Sequence, residues 1–209
     1  DGNLTAALGG YIALLAPQVS NNGVIVAQMG TVALAAGEVY ELQFQGNRLG
    51  NLRVEPSTIA ALVENGNAVQ APGGLVILSA RAMDQLQGSV VRNAGSVEAR
   101  GMVNKDGRIV LEADHITLTN ASKLDASGAN GGGEVLVGGG WQGGGGLYQA
   151  TTVTMDQGAA IDVSATKVGS GGTAVLWSKV DNIASQTRAY GSIWAKGGVE
   201  GGDGGRIET

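Results

Sequence analysis

The chain has 209 residues, 37 of them glycine, with no cysteine, one histidine and one phenylalanine. A net charge of −5, 43% apolar residues and only three prolines exclude a disordered chain and a collagen, and no apolar run approaches the roughly 18 residues of a transmembrane helix. The lack of cysteine excludes disulfides and thiolate metal sites, and the mild acidity without a basic block excludes nucleic acid as a partner.

In chain order, an imperfect repeat organises the residues. An aliphatic residue, any residue and a small residue recur as Leu4-Thr5-Ala6, Ile25-Val26-Ala27, Val69-Gln70-Ala71, Val97-Glu98-Ala99, Leu124-Asp125-Ala126, Ile161-Asp162-Val163 and Ile193-Trp194-Ala195. Each is followed by a glycine and an alternating apolar stretch, opening at Gly10, Gly30, Gly74, Gly107, Gly133, Gly172 and Gly205. A weaker third strand closes most units, at residues 40–44, 115–119, 152–155 and 180–183. An Asn or Asp with a glycine often stands upstream, as in Asn22-Gly23, Asn65-Gly66 and Asn93-Ala94-Gly95.

The mean spacing of about 31 residues lies in the range of solenoids. Short strands of period two, with no second long helical stretch in any unit, exclude helical-pair repeats. Winding the strands of each unit around a coil, and stacking coils at the strand spacing of about 4.8 Å, gives a parallel β-helix. The expected fold is all-β and three-sided, with about seven coils in one continuous body over residues 1–209. Its bore is too narrow for aromatic rings, and glycines at the corners supply positive φ. One insertion, residues 45–66, breaks the rhythm. There Glu55-Pro56 or Ser57 starts, and Asn65-Gly66 stops, a short lateral helix with Ile59, Leu62 and Val63 on one face.

Candidate sites follow from this layout. The middle position of the first strand reads Thr5, Val26, Gln70, Glu98, Asp125, Asp162, Trp194 down the stack. In-register coils would place Glu98, Asp125 and Asp162 in an acidic row with neighbours about 5 Å apart, a spacing that suits a divalent cation, a sugar or a glycosidase pair. Trp141, Trp177 and Trp194, with Tyr148 and Tyr190, all lie in the second half and offer planes for sugar stacking. The plainer alternatives are a solvated face and loops packed on the coil. His115 beside Asp114 has no Ser or Cys nucleophile in a recognisable context, and Gly138–Gly146 lacks the Gly-Lys-Ser/Thr ending of a phosphate loop. No catalytic residue, cofactor or metal is assigned.

The run Gly9-Gly10-Tyr11-Ile12-Ala13-Leu14-Leu15-Ala16-Pro17-Gln18-Val19-Ser20-Asn21-Asn22-Gly23, continuing through Thr31-Val32-Ala33-Leu34-Ala35-Ala36-Gly37, resembles the filamentous-haemagglutinin family, as does Ala61-Leu62-Val63-Glu64-Asn65-Gly66 followed by Gly73-Gly74. These are exoproteins of two-partner (type V) secretion. The resemblance implies a right-handed β-helix, an outer-membrane transporter as partner, a secreted or bacterial cell-surface location, and adhesion to cells, surfaces or biofilm matrix. The family's N-terminal secretion domain carries an Asn-Pro-Asn-type motif absent from these residues. The segment is therefore expected to begin near the end of that domain and to run into the fibre. The expected role is a structural shaft segment of a filamentous adhesin, non-enzymatic and not inserted in a membrane. Alternatives are a glycan-binding module of the same fibre, contacting extracellular polysaccharide or a host or neighbour cell surface, and a polysaccharide-degrading β-helix enzyme.

Overall fold

The computed structural model describes residues 2–83, 88–102 and 106–209. Three parallel sheets form the sides of a solenoid. The first contains β1 (Asn3–Thr5), β4 (Val24–Val26), β9 (Ala68–Gln70), β12 (Ser96–Glu98), β15 (Lys123–Asp125), β18 (Ala160–Asp162) and β21 (Ser192–Trp194). The second contains β2 (Tyr11–Ala16), β5 (Thr31–Ala36), β10 (Leu75–Ala80), β13 (Arg108–Glu112), β16 (Glu134–Val137), β19 (Thr173–Leu176) and β22 (Arg206–Glu208). The third contains β3 (Gln18–Asn21), β8 (Ala61–Asn65), β11 (Ser89–Asn93), β14 (His115–Leu118), β17 (Thr152–Met155) and β20 (Gln186–Ala189). This is the parallel β-helix that the repeat predicts.

The register follows the sequence repeat. Leu4, Ile25, Val69, Val97, Leu124, Ile161 and Ile193 stack as one column. Ile12, Val32, Val76, Ile109, Val135, Ala174 and Ile207 stack as a second. Val19, Val63, Val91, Ile116 and Val153 make the third. Most of these side chains are fully buried and join one core cluster. A one-residue slip would turn each column to the outside, so burial fixes the register.

Four expectations are corrected. Residues 57–66 contain no helix. Residues 61–65 are β8, whose Ala61, Val63 and Asn65 point inward with period two and pair in parallel with β3 and β11. Helical spacing of Ile59, Leu62 and Val63 is outweighed by the neighbouring coils, which offer a template for extended backbone on both sides. Residues 40–44 do not close a coil. They belong to β6 (Val39–Gln45), which forms an antiparallel hairpin with β7 (Arg48–Glu55) outside the solenoid. Residues 180–183 are a loop, and β20 supplies the third strand of that unit.

The fourth correction concerns glycine. Gly10, Gly30, Gly74, Gly107, Gly133, Gly172 and Gly205, which open the second strand, are all absent from the positive-φ positions. At Gly30, Gly74, Gly133, Gly172 and Gly205 the previous coil lies against the glycine, while Gly10 and Gly107 face the carbonyls of Ala7 and Ala99 in their own unit. A Cβ on Gly30 would stand 1.8 Å from the Gly10 carbonyl oxygen, and one on Gly172 1.9 Å from that of Gly133. Those carbonyls accept the ladder bonds from Thr31 and Thr173 in the next coil. The glycine column lets the coils approach closely enough to bond.

The hairpin covers the outer face of the second sheet at β2, β5 and β10. β5 is buried on both faces, with Val32, Leu34 and Ala36 in the bore and Ala33 and Ala35 under the hairpin. Leu49, Leu52 and Val54 of β7 pack there with Ile77, forming a second core. This explains why residues 32–36 are apolar at every position, beyond the alternation that a half-buried strand requires.

At the corner between the third and first sheets, buried amides form a ladder. Asn21 donates to Asn65 Oδ1 at 2.8 Å, Asn65 to Asn93 Oδ1 at 2.8 Å, and Asn93 to the Ser122 hydroxyl at 2.6 Å. Each also donates to a corner carbonyl, at Ala68, Asn67 and Gly95 respectively. The ladder satisfies polar backbone that a tight corner would otherwise leave buried and unpaired.

Candidate functional site

The first sheet places the acidic row on its outer side. Glu98, Asp125, Asp162 and Trp194 are direct neighbours in successive coils, continuing from Gln70. The carboxylates are engaged by the protein itself. Arg100 Nε lies 2.7 Å from Asp125 Oδ2 and 3.9 Å from Glu98 Oε2. The side-chain hydrogen bond to Asp125 is the largest cause that raises the pKa of Arg100. Asp125 Oδ1 accepts the Ser127 amide and hydroxyl at 2.9 and 2.6 Å, and Asp162 Oδ1 accepts the Ser164 amide at 2.9 Å. In these turns, a carboxylate two residues back mimics backbone and shapes the corner. Glu98 accepts the Ser96 hydroxyl at 3.1 Å. Among the described residues, no group of three or more His, Asp or Glu could hold a metal ion.

The tryptophans do not gather into one site. Trp177 lies beneath the glycine-rich segment 138–146. A Cβ on Gly139 would meet its Cδ1 at 2.6 Å, and one on Gly143 its Cζ2 at 2.9 Å. Its indole N–H donates to Gln149 Oε1 at 3.1 Å, and Gln149 donates to the Gly143 carbonyl. Trp141 begins a single 3-10 turn, and the Arg206 guanidinium sits 4.6 Å from the centroid of its ring. Trp194 is 40% exposed at the end of the acidic row. His115 Nδ1 is 2.8 Å from the Thr152 hydroxyl in the next coil.

Sequence reasoning missed the anchor of the glycine strap. Tyr148 reaches the fully buried Asp114, and its hydroxyl donates to Asp114 Oδ1. Asp114 Oδ2 accepts the Ser89 amide and hydroxyl at 3.2 and 2.9 Å. The Tyr148 amide donates to Glu112 at 2.8 Å, and the Arg81 guanidinium covers its ring at 3.7 Å. Burial, then the Asp114 contact, pushes the Tyr148 phenol above its ordinary pKa. Burial likewise raises Glu112. A groove of about 540 Å³ runs between this strap and the hairpin, lined by Arg53, Glu55, Ser79, Arg81, Glu112 and Tyr148 among others. The hairpin wall did leave a signal, Gly46-Asn47 between two alternating stretches, with Gly46 at φ +63°.

Among the described residues, no helix is long and apolar enough to cross a membrane. Comparison with known proteins gives three findings. A family model described as the TPS secretion domain matches residues 1–126. The heme/hemopexin-binding protein of Haemophilus influenzae is 35% identical over 74 residues, covering 35% of this chain and 8% of that protein. The crystal structure of the HMW1 secretion domain from Haemophilus influenzae matches all of this chain and 59% of that one, with a TM-score of 0.68 and 24% identity, which shows the fold alone. The chain thus spans less than two thirds of the length of these relatives. The match runs from residue 1 to residue 126, so it takes in the N-terminal coils. With more than half of its residues matched, the chain belongs to the two-partner-secretion (TPS) secretion domain family.

Proposed function

We propose that the chain is the secretion domain of a large filamentous adhesin together with the first part of its shaft. Its partner is the outer-membrane transporter of the two-partner system. The product is an exoprotein held at the cell surface, and it carries out no reaction. The observation that supports this reading most is continuity. The family match ends at residue 126, yet the first sheet runs on in register through β18 and β21 and the second through β19 and β22. A stack of parallel coils lengthens by about 4.8 Å per coil without changing its cross-section. It therefore serves both as the exported leading domain and as a rigid spacer. The side chains of the acidic row support a structural role, since Asp125, Asp162 and Glu98 are spent on corner turns and on Arg100.

Attachment of the producing cells tests the adhesive part. Deleting the gene for the complete exoprotein is expected to lower attachment to surfaces and to neighbouring cells by about tenfold or more, an effect set by many weak contacts acting together. Undiminished attachment would remove adhesion from this reading and leave export intact.

A further inference from the structure

The corner between the third and first sheets changes character partway along the solenoid. In the early coils the linkers are two residues long, at 22–23, 66–67 and 94–95. In two successive coils they lengthen to four, at 119–122 and 156–159, and at 190–191 the short form returns. The asparagine ladder ends where the corner widens, with Asn93 donating to Ser122. Both long linkers are closed turns, with Ser122 N–H donating to the Thr119 carbonyl at 2.8 Å and Ala159 N–H to the Asp156 carbonyl at 3.0 Å. They stack firmly. Asp156 N–H donates to the Leu118 carbonyl, Gly158 N–H to Asn120 Oδ1, and Tyr190 N–H to the Met155 carbonyl, each at 2.9 Å.

The widened corner leaves a depression of about 510 Å³ lined by Asn120, Asp156, Gln157 and Tyr190. Tyr190 is 62% exposed. Among the described residues, the carboxylate of Asp156, the amide of Gln157 and the hydroxyl of Tyr190 have no side-chain hydrogen-bond partner, and Asn120 uses only its oxygen, on Gly158. An aromatic ring, a carboxylate and two amides thus stand together on a rigid frame. Two strand spacings separate the outermost coils, about 10 Å, the span of one or two sugar rings.

We propose that this corner is a binding site for a terminal neutral pyranose of a glycan. The Tyr190 ring stacks on the apolar C–H face of the sugar. Asp156 accepts from one or two sugar hydroxyls, while the Asn120 and Gln157 amides donate to and accept from their neighbours. Among the described residues, Asp156 is the only charged side chain lining the depression, which favours a neutral sugar over an acidic one. The site supplies a ligand class for the adhesive reading and rests on it only for its biological use. Export does not involve it, so its failure and a failure of export are separate outcomes.

The test is an array of immobilised neutral and sialylated oligosaccharides probed with the purified 209-residue chain, followed by titration of the retained sugars as methyl glycosides. Tyr190→Ala and Asp156→Asn are expected to weaken binding by about tenfold or more, with melting temperatures unchanged because both positions lie on the surface. Trp194→Ala, on the first sheet, is expected to bind as the parent does. The proposal is overturned if no neutral saccharide is retained, if Tyr190→Ala binds undiminished, or if Trp194→Ala alone abolishes binding.

Discussion

Gly172→Ala is expected to destabilise the chain by about 3 kcal/mol or more, toward the upper end of the cost of overpacking. The added Cβ would stand 1.9 Å from the Gly133 carbonyl oxygen and 2.7 Å from the Gly132 carbonyl carbon. Both contacts are backbone of the preceding coil and cannot rotate away. Relief requires the two coils to part, which breaks the bond from Thr173 N–H to Gly133 O at 3.0 Å and opens the column of Val135 and Ala174 beneath it. Gly145→Ala is the matching control. Gly145 has a φ of +78° with nothing within 4 Å of an added Cβ, so its substitution carries only a backbone penalty of about 1 kcal/mol. Urea unfolding of the two variants compares the causes directly. If Gly145→Ala were the more damaging, conformational freedom and not coil approach would be the reason for the glycine excess.

Asn65→Ala is expected to cost about 2–5 kcal/mol. Asn65 is 1% exposed and holds the middle of the buried ladder. It accepts from Asn21 and donates to Asn93 Oδ1, to the Asn67 carbonyl at 3.3 Å and to the Ser96 carbonyl at 3.4 Å. Truncation leaves an amide donor below and an amide acceptor above without that partner, and each buried group stranded in this way costs about 1–3 kcal/mol. Asn93→Ala is expected to be similarly harmful, because Asn93 is fully buried and also binds Ser122. The exposed Asn22, next in sequence to the ladder's Asn21 but pointing outward, is expected to tolerate alanine with little change in the urea midpoint. Equal effects at Asn22 and Asn65 would contradict the ladder.

The solenoid was legible because its stacking imposes a strict sequence pattern. Every coil demands an aliphatic residue at the Leu124 position, a small residue at the Ala126 position and a glycine at the Gly133 position, since each must match the same residue one coil away. Strict alternation also fixed which residues of the first strand face out, so Glu98, Asp125, Asp162 and Trp194 fall in the row that the spacing predicts. Less visible were features that depend on contacts between distant segments. Nothing local marks Ala61–Asn65 as a strand, because its conformation is dictated by β3 and β11 on either side. The hairpin reads as a weak coil strand until Leu49, Leu52 and Val54 are seen to cover Ala33 and Ala35. Positive φ does account for turn glycines such as Gly9, Gly73 and Gly138, but the glycines that open the second strand are required by neighbouring carbonyls, which only the fold brings close. In the same way, Arg100 is separated from Asp125 by a full coil, and Tyr148 from Asp114 by the length of the glycine strap. Composition alone points to neither pairing.

The role of the chain in export is tested most directly by producing it behind an added periplasmic leader in cells that carry the outer-membrane transporter of its own two-partner system. The amount recovered from the medium is then compared with that from cells lacking the transporter. The account predicts folded, protease-resistant chain in the medium only when the transporter is present. Equal recovery in both strains, or retention in the periplasm with the transporter present, would contradict it.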